Sequence, residues 1–440
     1  MAANPDGSPR ARELREVFRP GGTNAERFAV QNIGAERSRE SIPRRTDVKW
    51  LVCLLVTAVG YAAAVDEPPS DWVDSATGHR VIRLSRETGS ASLYFHQNEY
   101  TAAGDKMVFT TPSGISTIDL ETRKIEQIVE GRTAALVVGR KTRQVFYFKD
   151  STVYATNLDT RATRSVVTAA ELRSGSGLTV NADETRLAGS FVEDPRPSEP
   201  TSPTTSGQRS LVIPNAQEAS LEARWAARRP MALYTIDVAS GAVSKFHHST
   251  DWLNHVQFSP TDSGLLMFCH EGPWHKVDRI WTIRTDGSGL RLMHKRTMDM
   301  EIAGHEFFSP DGQTIWYDLQ TPKSQVFWLA GVRIATGETI RYRLEREHWS
   351  VHFNASPDGK LFAGDGGGPN SVAAPGNGQW IYLYTPVNGV LKVERLVDLS
   401  KHDYRLEPNV SFTPDQKWIV FRSNMHGGTH VYAVEVTKAQ

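Results

Sequence analysis

A short turn signature recurs in phase along the chain and limits what it can fold into. The segments Phe308-Ser-Pro-Asp-Gly312, Ala355-Ser-Pro-Asp-Gly359, Phe412-Thr-Pro-Asp-Gln416 and Phe258-Ser-Pro-Thr-Asp262 each sit between two apolar runs. Pro fixes φ, Asp caps the turn and Gly takes the left-handed position. Weaker copies occupy residues 102–109, 138–146 and 180–188, and matching third strands are expected near 114–120, 152–158, 232–238, 279–285, 325–334, 380–385 and 429–436. The spacing of roughly 40–55 residues is that of propeller blades. One four-stranded unit cannot bury both faces alone, whereas seven arranged radially can, and they leave no long edge exposed. The expected fold is all-β, a seven-bladed β-propeller over residues 71–440 with a short inserted helix. The strand at 79–84 precedes the first unit and is expected to complete the last blade and close the ring. A pair of β-sandwiches is the runner-up.

Composition agrees with this and excludes little else. The chain has 440 residues, 39% hydrophobic and 23% charged, with zero formal net charge, so it carries no global basic field for nucleic acid. Two cysteines, Cys53 and Cys269, make no disulfide framework. Residues 1–49 are Arg-rich without an apolar period, and residues 50–64 form a short apolar run ending Ala62-Ala63-Ala64. That run is shorter than the ~20 residues of a membrane span, so residues 1–64 read as an extension and signal peptide and the mature protein as periplasmic or secreted. The long basic stretch before the run suggests a start site placed too early. No stable membrane association is expected after cleavage.

One unit is interrupted. Residues 195–210 are rich in Pro, Ser and Thr, and residues 219–229 (ASLEARWAARR) have helical spacing ended by Pro230. Such a helix is expected over one face of the propeller, with Arg224, Arg228 and Arg229 available to an acidic ligand. A solvated basic helix face is an equally weighted reading.

Four residues before the Ser or Thr of each clear turn stand His255, His305, His352 and Asn409. Equivalent places on innermost strands form a ring around the channel. A single strand histidine is more often a packed core residue; three in phase point to a metal or catalytic cluster, since neutral imidazole is a common ligand of Zn, Mn and similar ions. Asn354 shares the face of His352 by strand alternation. His270, with Glu271 and Arg279 beside it, ends the next strand of the His255 unit as part of His270-Glu-Gly-Pro-Trp274, which has no counterpart in the other units.

HEGPW followed by DRIW, with GHEFFSPDG and HWSVHFNASPDG downstream and the helical segment EARWAARRPMALYTID, resembles the oligogalacturonate lyase family (pectate lyase family 22). The resemblance implies a propeller with a divalent metal, usually Mn, held in the channel mostly by His with a Gln. It implies β-elimination of short galacturonate oligomers, with a separate His as base. Carried over by motif, His270 is the expected base and His305 and His352 metal ligands. The family's Gln and third His have no clear match; Asn354, His348 or His255 are the candidate substitutes. Arg279 is expected in the catalytic group, where it or Arg224 and Arg228 would clamp carboxylates by bidentate pairing. Trp274 is expected to stack on a sugar face, beside its packing role. Export departs from the family's cytoplasmic members and admits another acidic oligosaccharide as substrate.

Two other classes fit the repeats: a binding propeller like those of periplasmic assembly proteins, and a metal hydrolase on the same scaffold. Neither nucleic acid nor a membrane is an expected partner.

Overall fold

The computed structural model describes residues 67–174, 176–193, 216–369, 371 and 378–439, and is silent on the side chains of 173–176, 216 and 217. The signal segment expected at 1–64 and the Pro/Ser/Thr tract lie outside the described residues. The described chain belongs to the compact unit Asp66–Gln440.

Seven antiparallel sheets follow one another along the chain, each a blade. Blade 1 spans residues 106–130, blade 2 134–168, blade 3 176–249, blade 4 252–292, blade 5 302–344 and blade 6 353–398. Blade 7 takes its three inner strands from the end of the chain, and its fourth is His79–Arg83, paired antiparallel with His430–Lys438; Asp71–Val73 adds a fifth. The ring is therefore closed as expected by a strand from before the first blade.

The core is divided as a propeller requires. Seven clusters of buried apolar side chains each bridge two neighbouring blades, such as Val137, Phe146 and Val153 against Leu187, Tyr234 and Ile236 between blades 2 and 3. Another joins Ile82, Val420 and Val431 of blade 7 to Met107 and Phe109 of blade 1. At about 1.5–3 kcal/mol for each fully buried large apolar side chain, each blade is stabilised mainly by its two neighbours.

The turns behave as their sequence dictates. Ser309 Oγ donates to Asp311 at 2.5 Å and accepts from the Thr314 amide at 2.9 Å, and Gly312 has φ +69°. Thr413 and Asp415 repeat the bond at 2.6 Å, but there Gln416 occupies the left-handed position with φ +62°.

Two differences from expectation shape the channel. The inserted helix α1, Ala216–Ala227, starts earlier than its apolar spacing indicated. Blade 1 has a three-stranded sheet, and its inner edge is reduced to isolated bridges at Ala91 and Tyr100. Between those bridges the backbone turns, with the Gln97 amide donating to the Tyr94 carbonyl at 2.7 Å. The irregular edge carries Tyr94, Phe95 and His96 inward to the histidine ring.

Candidate active site

The inner strands of blades 2–5 each carry a bulge, and the bulge sets the site. Register slips between Ala134 and Val137, Ser176 and Thr179, Asn254 and Gln257, and Gly304 and Phe307. The slipped residues Ala135, Gly177, His255 and His305 have φ of 41°, 70°, 49° and 48°, and Asn409 of blade 7 has 54°. Left-handed backbone costs an ordinary residue about 1–2 kcal/mol. Because Ala135 adopts it too, the bulge belongs to the scaffold, and the chemistry lies in what each blade places there.

His255, His305 and His352 do converge. The rings of His305 and His352 lie 4.6 Å apart between centroids. Tyr94 stands 5.7 Å from His255 and 5.3 Å from His352, and His96 stands 5.9 Å from His255. Tyr94 and His96 carried no turn signature four residues downstream, so counting back from the turns did not reach them.

Two of the histidines are backed by carboxylates. His305 Nδ1 lies 2.8 Å from Asp318 and His352 Nδ1 lies 2.7 Å from Asp365, in both cases thirteen residues downstream. The acid sits on the adjacent strand or its extension, so an Asp thirteen residues after a ring histidine is the sequence signal that finds it. At that spacing His255 meets Phe268 and has no such partner. Asp365 also accepts from the amides of His352 and Asn409, tying blade 6 to blade 7. A carboxylate on Nδ1 fixes the tautomer with its lone pair on Nε2. Burial opposes charge on His305, but Asp318 outweighs it and the pKa is raised. Burial lowers the pKa of His255 and takes that of His96 to about 3, so both are neutral at mild pH.

The charged surroundings are built in. Arg279, on the last turn before its strand, is buried and pairs with buried Glu306 at 3.2 Å. Although burial opposes ionisation of Glu306, Arg279 and His255 outweigh it and hold its pKa low. Arg279 thus adjoins the group as an enclosed, neutralised charge that supports it from behind.

The donor set fits a divalent cation in kind. His352 is fully buried, and among the described residues its Nε2 has no hydrogen-bond partner; Glu407 Oε2 lies 3.8 Å from it. A carboxylate-backed imidazole facing a second carboxylate is a ligand pair with its outer support in place. Among the described residues no three His, Cys, Asp or Glu side chains already meet at one point. Glu407 was missed by the sequence reading, which looked only for His, Gln and Asn.

Three candidate residues have other partners. The Asn354 amide is engaged: its Nδ2 donates to the Phe95 carbonyl at 2.9 Å and its Oδ1 accepts from the Phe412 amide at 3.2 Å, so both amide atoms serve blade-to-blade bonds. His348 lies against Tyr382, 6.0 Å away, in the turn before blade 6. His270, expected as a base separate from the ring, lies outside it. Its strand alternates, so His270 shares the face of Phe268 toward blade 3, while Glu271 takes the face toward His255. His270 instead stacks 5.0 Å from Trp281 and lies 3.5 Å from Asp251.

Helix α1 covers HEGPW as expected of an inserted helix. Arg224 lies 3.7 Å from Glu271 and 5.1 Å over the Trp252 ring; Arg228 pairs with Asp251 and lies 4.6 Å over Trp225. Trp225 packs on Gly272, where an added Cβ would come within 3.2 Å of its ring. Trp274 is half-buried on the following turn. The two helix arginines are therefore already paired with carboxylates of the protein.

A closed seven-bladed ring with a carboxylate-backed histidine centre in its channel is the architecture of an enzyme rather than of a bare docking scaffold. The family model for oligogalacturonate lyase matches residues 69–440, and the chain belongs to that family. It is 26% identical over 390 residues to oligogalacturonate lyase of Dickeya dadantii (strain 3937), covering 82% of this chain and 95% of the relative. Oligogalacturonide lyase of Pectobacterium atrosepticum (strain SCRI 1043) is 25% identical over the same share. The solved structure of an oligogalacturonate lyase in complex with manganese superposes with a TM-score of 0.69 at 25% identity, covering 84% of this chain and 96% of the other.

Proposed function

We propose that this chain is a metal-assisted oligogalacturonate lyase that cleaves short α-1,4-linked galacturonate oligomers from pectin by β-elimination. The observation that carries the reading is the facing pair of carboxylate-backed imidazoles, His305 and His352, in the channel of a chain of this family. His352 and Glu407 are the residues that would hold the cation, manganese by likeness to the solved relative. When bound, the cation neutralises the uronate carboxylate and stabilises the enolate-like charge that develops beside it.

The other residues divide the remaining work. His305, with Asp318 fixing its Nδ1 and raising its basicity, accepts the C5 proton at Nε2. The electron pair left at C5 forms the C4–C5 double bond as the C4–O bond breaks, the departing oxygen takes a proton from water, and His305 returns its own proton to solvent. His255 and His96, both neutral, add no competing charge. Arg224 and Arg228 lie where carboxylates of neighbouring sugars would exchange with Glu271 and Asp251, and Trp274 offers a ring to a sugar face.

Product mass tests the reading. With di- and trigalacturonate, elimination gives products whose masses sum to that of the substrate, and chelator abolishes turnover. Products heavier by one water identify a hydrolase and overturn the lyase mechanism. On the strength of the apolar run at 50–64, we place the activity outside the cytoplasm. A mature N-terminus before residue 46 would contradict that.

A further inference from the structure

The geometry points to a second binding site, for a small organic carboxylate, at the turn end of the channel, with Arg140 as its anchor and His96 of the histidine centre in its inner wall. The inner strands of blades 4–7 run to their Ser-Pro or Thr-Pro turns, and at the turn end the channel opens into a cavity of about 430 Å³. Pro260, Pro310, Pro357 and Pro414 of four such turns line it. That volume lies within the range of small-molecule pockets, ~300–1,000 Å³.

Charge distinguishes this cavity from an ordinary propeller channel. Arg140 lines it, and among the described residues Arg140 Nε is enclosed without a hydrogen-bond partner. No Asp, Glu or Lys is among the described lining residues. Glu184, the carboxylate acting on Arg140, is already committed to the amides of Lys141 and Thr142 and to the Thr142 hydroxyl. A shielded guanidinium without a counter-ion is costly, and its forked donors match a carboxylate in two-point contact.

The lining selects the ligand class. One Arg suits a monoanion; a phosphate dianion calls for more cations or several amides. Phe258, Phe308 and Phe412 offer apolar walls and Gln97 and Ser309 polar ones, suiting a hydroxylated body such as a sugar acid. The inference rests on this cavity and not on the lyase reading.

Calorimetry on the full chain, in low salt with chelator, tests it with three probes: galacturonate, galactose and inorganic phosphate. Galacturonate is expected to bind the wild type and His352→Ala alike, and Arg140→Met to weaken that binding at least about tenfold while melting no lower than the wild type. Unchanged affinity in Arg140→Met, loss of binding in His352→Ala, equal binding of galactose, or phosphate binding more tightly than galacturonate would each overturn the proposal. If Arg140→Met fails to fold, Arg140→Lys keeps the charge without the fork and is expected to weaken binding; wild-type affinity in it overturns the two-point contact.

Discussion

His305 and His352 meet edge to face at an interplanar angle of 77°, each held from behind by an aspartate thirteen residues further on. They come from adjacent blades, yet only His352 is sealed from solvent and directed at Glu407. This asymmetry separates their roles. His352→Ala is expected to lose both manganese binding and turnover. His305→Ala should keep the metal, read by titration, and lose kcat by about 10²–10⁴-fold, the usual worth of a general base. If His305→Ala loses the metal in parallel with activity, the two histidines are ligands together.

His270 gives a second test. It packs toward blade 3 and touches Asp251, which holds Arg228 of helix α1. Its removal is expected to raise KM by loosening that helix while kcat stays within about tenfold. A collapse of kcat at unchanged KM would return the proton-accepting role to His270.

The pH dependence of stability is expected to carry the signature of Glu99. This buried carboxyl accepts from the Leu93 amide at 2.9 Å and from Ser411 at 2.5 Å, and burial raises its pKa from 4.5 to about 7. A raised acid pKa means that the native chain binds a proton the unfolded chain has released. Its contribution is thus full below pH 4.5 and is lost as pH rises to about 7. The loss has an upper bound of about 3 kcal/mol, from 1.36 kcal/mol per unit. Denaturant melts at pH 5 and pH 8 should show Glu99→Gln gaining on the wild type at the higher pH; parallel curves would show that Glu99 is not held neutral.

Gln416 is a local weakness in an otherwise regular turn. It sits at φ +62° where Gly312 and Gly359 occupy the equivalent places. Gln416→Gly is expected to stabilise by about 0.5–1 kcal/mol, the left-handed penalty less the entropy cost of glycine. A thermal melt checks the sign.

Most of the scaffold was legible because its signals are local. Pro, Asp and Gly at fixed offsets mark each turn, and counting back four residues gave the three ring histidines without knowledge of the bulge beneath them. What escaped depends on contacts between strands. Asp318 and Asp365 became meaningful only once paired with their histidines across the sheet. Tyr94 and His96 lie where blade 1 abandons its inner strand, so no period announces them. HEGPW is distinctive as a motif, but only strand alternation decides which of its side chains faces the channel, and that is Glu271. Asn354 shared the face of His352, but its amide bonds to Phe412 of blade 7 and Phe95 at the edge of blade 1.

The pairing of His79–Arg83 with His430–Lys438 has a consequence for how the molecule comes into being. The strand at 79–83 waits for the strand at 430–438, about 350 residues further on. Contacts of such long sequence separation are slow to form because the loop entropy is lost before the contact is gained. Blades 1–6 can assemble in order as the polypeptide emerges, but the circle remains an open arc until the final residues arrive. The latch is thus a check on completeness, since a chain lacking residues 430–438 leaves the strand at 79–83 without its inner partner.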